Sequence, residues 1–333
     1  MQNYPPWPHR LVFNFAYGRW WTFLAIFATT YFIFYLAGTA SSSREEATQL
    51  FFCFIFAYLI PASHYVSAQT VIAFDNLKPT LNLTDAQQLA IRNSLTGLSM
   101  KSQGRRLVAG FLAGCGHDYI LLTAEFEFLE AIGLLDPINM TIMLMTILLW
   151  CLFTAVISLL LDNVWLFARL VKNDARIDLL NSPAVRGFSR VAVYSTLVLM
   201  GALAGFPLLV LQGDANYIAV LPGLFAVIVP MVLIFLVPLL PIRKRLQQCK
   251  LQELDLIQNR INELTLGQIK LVENSETLSQ LQPLLDYRRE ILQVPEWPFD
   301  SPVIFRLLFY LFIPPMTWVG AAIIERLVDT VNF

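Results

Sequence analysis

The chain has 333 residues, of which 56% are apolar, 13% aromatic and only 14% charged, with a net charge of −1. Soluble proteins carry about 25% charged residues, so the deficit points to a chain embedded in lipid. The near-neutral balance gives no argument for a nucleic-acid partner. Cys53, Cys115, Cys151 and Cys249 are too scattered for a disulfide framework or a zinc site, and no cofactor or metal is implied.

The segment Met1–Pro8 has no cationic stretch leading into a short apolar run and a small-residue cleavage site. The first apolar segment is therefore expected to be retained. Charge-free intervals then mark the crossings: Trp20–Ser43, Ala47–Phe74, Pro137–Leu161, Val191–Gly213 and Ala215–Ile242, with another between Arg306 and Glu325. About 20 apolar residues span the ~30 Å hydrocarbon core, so each is long enough.

Six crossings place a strongly basic segment on the outer side in either orientation. A further crossing over 107–124, apolar apart from His117 and Asp118, removes the conflict. With seven crossings, 20 of the 23 Lys and Arg residues fall on one side, which the positive-inside rule makes cytoplasmic. The expectation is an all-α integral membrane bundle in the cell (inner or plasma) membrane, with the N-terminus cytoplasmic and the C-terminus outside. Its parts are a transmembrane bundle over 1–242, a cytoplasmic helical hairpin over 243–300 and a last, proline-broken span over 301–333.

Along the chain, Trp20 and Trp21 suit an interfacial aromatic belt. The second crossing turns polar in its later half, with Pro61, Ser63, His64, Tyr65, Ser67, Gln69 and Thr70. Two readings fit that run: hydrogen-bonded packing between helices, or the lining of a site in which His64 takes part. In the loop 75–104, Thr84 and Gln87 resemble a capping box ahead of an amphipathic helix carrying Leu89, Ile91 and Leu95.

Gly110 and Gly114 stand four apart on the third crossing, a face that admits a close neighbour. His117 and Asp118 follow on the same segment. Ionisable groups in a span must face protein, water or an ion, which leaves a structural pair, a proton or ion relay, or a metal site as readings. The fourth crossing, rich in Leu, Ile and Met with Trp150, reads as lipid-facing scaffold. Gly201 and Gly205 give the fifth a second close-packing face, and Pro207 is expected to bend it. The sixth carries Pro222, Pro230 and Pro238 and is expected to be curved or hinged.

In the insert, Leu254, Ile257, Ile261 and Leu264 are spaced 3, 4, 3, and Leu278, Leu281 and Leu285 are spaced 3, 4. Each run is a narrow apolar stripe on a polar helix. The arms either pack on each other or associate with those of other subunits, and self-association through 243–300 is the favoured expectation. After Trp297, Pro298 and Pro302 comes the last span. There Arg306 can snorkel to headgroups, and Pro314 and Pro315 free carbonyls near Tyr310 and Leu311. Trp318 adds an aromatic contact. Broken helices of this kind often line transport sites, so Arg306, Tyr310, Pro314, Pro315 and Trp318 join His64, His117 and Asp118 as candidate pathway or ligand residues.

The block Trp297-Pro298-Phe299-Asp300, then Arg306, Ile313-Pro314, Trp318-x-Gly320-Ala321 and Glu325-Arg326-Leu327-x-Asp329, resembles the ending of a group of bacterial polytopic membrane proteins. That resemblance implies a shared architecture and supplies no activity. The seven-crossing layout with long cytoplasmic helices before the last span is similar to that of insect chemoreceptor-type ligand-gated cation channels, in topology alone. No GxSxG, HExxH, P-loop or paired-carboxylate constellation occurs, so an enzyme is not expected. The leading expectation is an oligomeric channel or sensor with cytoplasmic helical coupling. The alternatives are a proton- or ion-coupled secondary transporter and a membrane scaffold, with the bilayer as partner and a small ligand or ion unspecified.

Overall fold

Among the described residues, five helices are long and apolar enough to cross a membrane: Gly18–Ala37, Glu45–Leu77, Pro137–Leu170, Arg190–Leu209 and Val220–Val237. They belong to an all-α computed structural model that describes residues 3–38, 43–125, 137–173, 182–210, 217–266, 275–294 and 309. The helices are α1 (Gly18–Ala37), α2 (Ser43–Leu77), α3 (Asp85–Thr96), α4 (Met100–Glu125) and α5 (Pro137–Asn173). They continue with α6 (Ser182–Leu203), α7 (Tyr217–Leu266) and α8 (Ser275–Gln293). The last span expected over 301–333 lies outside the described residues, apart from Phe309.

α2, α5 and α6 form the centre. Phe51, Phe52, Ile55 and Leu59 of α2, Leu152, Phe153, Val156 and Leu160 of α5, and Val198 and Leu199 of α6 belong to one buried cluster. The reading of the fourth crossing as lipid-facing scaffold is thus corrected, because α5 packs against α1, α2, α4, α6 and α7. Uniform apolarity carries no directional signal: lipid tails and a protein core ask for the same side chains. α5 keeps an outward strip at Met140, Leu144 and Leu148, while α1 is exposed along most of its length, with Trp20, Trp21, Leu24, Tyr35 and Leu36 facing outward.

Small residues set the spacing of two helix pairs. A Cβ on Gly110 would sit 2.6 Å from Cys151 Cα, and one on Gly114 would sit 2.6 Å from Ile147 Cα, so α4 lies backbone-to-backbone on α5. On α6, Gly201 admits the Tyr58 ring and Gly205 the Phe54 ring, as the four-residue spacing predicts. The Tyr58 hydroxyl donates to the Leu197 carbonyl at 3.4 Å. Beyond Leu203 the helix breaks over 204–206 and resumes as the short turn Pro207–Val210, where proline suits a first helical turn. α7 runs through Pro222, Pro230, Pro238 and Pro241 as one helix of 50 residues, continuous across the boundary expected at 242.

The loop 75–104 contains the expected short helix. The Thr84 hydroxyl accepts from the Gln87 N–H at 3.4 Å, and the Thr84 N–H donates to Gln87 Oε1 at 2.9 Å. Asp75 holds Lys78 at 2.6 Å and Arg92 at 3.4 Å, which pins α3 to the end of α2. The inner stripe is narrower than Leu89, Ile91 and Leu95 together. Leu95 is buried and Ile91 packs on the core, whereas Leu89 is exposed. Positions 91 and 95 share a helix face, while 89 is rotated about 200° from 91. Thr84→Ala is expected to cost about 1 kcal/mol of helix stability. It should show as earlier protease cleavage within 85–96.

One feature has no counterpart in the hydropathy pattern. The amino-terminal segment folds back and pairs antiparallel with the two residues that precede α4, Asn3 opposite Ser99 and Tyr4 opposite Leu98. Gln103 Nε2 sits within 3.2, 3.3 and 3.2 Å of the Tyr4, Pro5 and Leu98 carbonyls. The 3-10 turn Trp7–Leu11 that follows packs against α2 and α5.

Candidate functional site

α4 combines a close-packing face with two ionisable residues. Gly110, Gly114 and Asp118 recur every four residues and so share one side of the helix. The glycines bring that side down on α5, and Asp118 is 4% exposed. Neither Asp118 oxygen has a hydrogen-bond partner among the described residues. Its neighbour His117, about 100° round the helix, accepts at Nδ1 a hydrogen bond of 2.8 Å from Trp150 Nε1, with the two rings edge to face at 5.7 Å. An indole N–H only donates, so this bond leaves His117 Nδ1 without its proton and the hydrogen on Nε2.

At the basic end of the same helix pair, Arg106 forms an ion pair with Asp162. The Cys151 thiol lies 3.7 Å from the Leu107 carbonyl. Each pole of the α4–α5 contact is therefore polar, and its middle is backbone against backbone.

His64 belongs to a different cluster. Arg19 Nε donates to His64 Nδ1 at 3.5 Å, and the Arg19 guanidinium lies 5.0 Å over the Tyr65 ring. The His9 ring meets His64 edge to face at 5.3 Å, and Tyr65 meets Tyr194 of α6 at 6.1 Å. The expected run of polar α2 residues thus meets the docked amino-terminal segment and α6. Burial, with electrostatic repulsion from the His64 side as the smaller cause, pushes the His9 imidazole down to about 4.

That shift has a sign. The docked segment disfavours His9 protonation, so its contribution to docking is complete above pH 6.5 and is lost as the pH falls towards about 4. Cleavage of the amino-terminal segment by an acid-tolerant protease is expected to accelerate across that window, and His9→Phe should flatten the profile. A wild-type rate that does not change with pH would contradict the role given to His9.

The structure therefore places His64 with His9 and Arg19, and His117 with Trp150 beside a solitary Asp118. Arg306, Tyr310, Pro314, Pro315 and Trp318 lie outside the described residues. His9 and Arg19 were missed by sequence reasoning, because nothing in spacing brings residues so far from position 64 onto it. Trp150 could have been suspected as the one side chain with a ring N–H in a largely apolar run. The four cysteines are free thiols, and no group of three or more His, Cys, Asp and Glu side chains that could hold a metal ion occurs among the described residues. No protein-family model, curated protein or solved structure matches the chain.

Proposed function

We propose that this membrane protein is a proton-coupled carrier whose proton site is Asp118. One observation carries the reading: a carboxyl group enclosed at a helix interface with neither oxygen partnered among the described residues. A carboxylate in such surroundings is stable only with a proton, a cation or a donor at its oxygens. An ionisable residue within a membrane segment is a candidate for a proton relay or ion path by default. His117, held in one tautomer by Trp150, is the adjacent group able to exchange that proton. In this reading α4 crosses the bilayer beside α5 despite its lower apolarity, completing seven crossings with the N-terminus cytoplasmic and the C-terminus outside.

The test uses liposomes containing the full chain and a pH-sensitive dye. A panel of small carboxylates, amino acids, amines and sugars is added under an imposed pH gradient. At least one solute is expected to raise proton uptake above that of protein-free liposomes. Unchanged internal pH across the panel overturns the carrier reading.

A second reading, the oligomeric channel or sensor coupled through 243–300, has its own support. Lys250 Nζ donates to the Leu292 and Val294 carbonyls at 2.9 Å each, and the Tyr287 hydroxyl lies 3.0 Å from Glu253 Oε1. Ile257 and Ile291 are buried. α7 and α8 therefore lie side by side in opposite directions, yet Leu251, Leu256, Leu285 and Leu292 remain exposed. Those leucines are the surface that subunits would share. The mass of the detergent-solubilised protein, with and without 243–300, decides it: a strict monomer removes the channel reading.

A further inference from the structure

Trp150 takes part in the α4–α5 contact twice. Its backbone lies in the seam, where a Cβ on Gly110 would sit 2.8 Å from the Trp150 carbonyl oxygen. Its ring reaches His117, about two turns further along α4, through the 2.8 Å hydrogen bond from Nε1 to Nδ1. Positions 110 and 117 are one heptad apart and share a side of the helix. The indole and imidazole together therefore bridge two turns of α4 on the side that Gly110 lays against α5.

The chemistry of this bond admits one protonation state. An indole N–H can donate and never accept, and a doubly protonated imidazole has two N–H groups and no acceptor. The bond needs Nδ1 bare, with the single ring hydrogen on Nε2. A second proton on His117 would set N–H against N–H, and the indole must then leave. Hydrogen bond and imidazolium exclude each other.

Few other groups titrate around this pair. On α4 they are Cys115, Asp118 and Tyr119, with Glu125 about two turns beyond. Of the two helices that pack extensively on α4, α5 offers only Cys151 over 137–161, and α7 carries no charged residue over 217–242. The Arg106–Asp162 pair lies about three turns back along α4.

We propose that Trp150 is a positioning residue for the proton chemistry of α4: it holds His117 as a neutral acceptor and latches α4 to α5 until His117 takes a second proton. Protonation at Nδ1 releases the indole, and the seam loosens along the helix side that leads to Asp118. The step moves one proton and breaks no bond between heavy atoms. The use of this latch, admitting a proton to Asp118, rests on the carrier reading; the latch itself does not.

The test follows the Trp150 indole N–H by NMR in the detergent-solubilised full chain, 15N-labelled at tryptophan, from about pH 8 to about pH 5. Trp150→Phe identifies the resonance. A reversible shift to the position of an unbonded indole is expected on acidification. His117→Gln keeps a side-chain acceptor at every pH, so its indole is expected to stay bonded throughout. Alkylation of Cys151, read on its own peptide by mass spectrometry, reports the seam, because that residue is buried with its thiol 3.7 Å from the Leu107 carbonyl. The two proteins are compared at the same pH, so the intrinsic reactivity of the thiol cancels. At about pH 5 the wild type is expected to react about fivefold faster than His117→Gln, the opening worth one hydrogen bond, and at about pH 8 the rates should agree. A wild-type resonance that does not move overturns the proposal, as does one that moves equally in His117→Gln. Equal Cys151 rates at the acid pH overturn it as well. No solute enters either measurement, so a failed carrier test leaves the latch standing, and a static indole removes the latch without removing Asp118.

Discussion

Asp118→Asn is expected to reduce solute-driven proton uptake to the rate of protein-free liposomes, a loss of roughly a hundredfold or more, with the bundle intact. Asparagine keeps the shape of the side chain and removes its proton chemistry. The His117–Trp150 hydrogen bond lies on a neighbouring face of α4 and should persist. Stability distinguishes this result from simple misfolding. Asp118 is buried with both oxygens unpartnered, so Asp118→Leu removes a polar group that pairs with nothing among the described residues. Its thermal midpoint is expected at or above that of the wild type, a gain of about 1–3 kcal/mol. Breaking a buried ion pair would instead cost about 3–5 kcal/mol. A large stability loss in Asp118→Leu would mean that the carboxyl has a structural partner, and the proton site would then be lost as an explanation.

Asp118 also marks the boundary of what the chain reveals in one dimension. Its oddity was visible as an acid within an apolar run. Its solitude was not, because partners come from other helices. Gly110, Gly114, Gly201 and Gly205 were legible as contact faces, since a missing Cβ has a meaning on any helix. The capping box at Thr84 was legible for the same local reason. α5 was misread because a helix apolar on all sides suits lipid and core equally. The His9–Arg19–His64 cluster was illegible because it depends on the amino-terminal segment folding back on α2. Hydropathy located α4 only in part: two ionisable residues and the basic start of the helix dilute the apolar signal across the stretch that packs most closely on α5.

Gly110→Ala and Gly114→Ala are each expected to destabilise the protein by about 1–3 kcal/mol, and Gly114→Leu by more. The added Cβ would lie 2.6 Å from Cys151 Cα in one case and 2.6 Å from Ile147 Cα in the other. Backbone cannot swing aside as a side chain can, so α4 must move off α5. The same helix supplies its own control. A Cβ on Gly104 or Gly116 meets nothing within 4 Å, so alanine there should stabilise by about 0.5–1 kcal/mol through helix propensity alone. Four thermal or denaturant melts therefore separate packing from propensity on one helix. Equal midpoints for Gly114→Ala and Gly116→Ala would refute backbone contact as the basis of the α4–α5 pair. A further consequence follows from the shared face. Because Asp118 continues the Gly110–Gly114 side, separating α4 from α5 opens the enclosure of its carboxyl to solvent or lipid. Gly114→Leu should then lose proton uptake together with stability, whereas Asp118→Asn loses uptake alone.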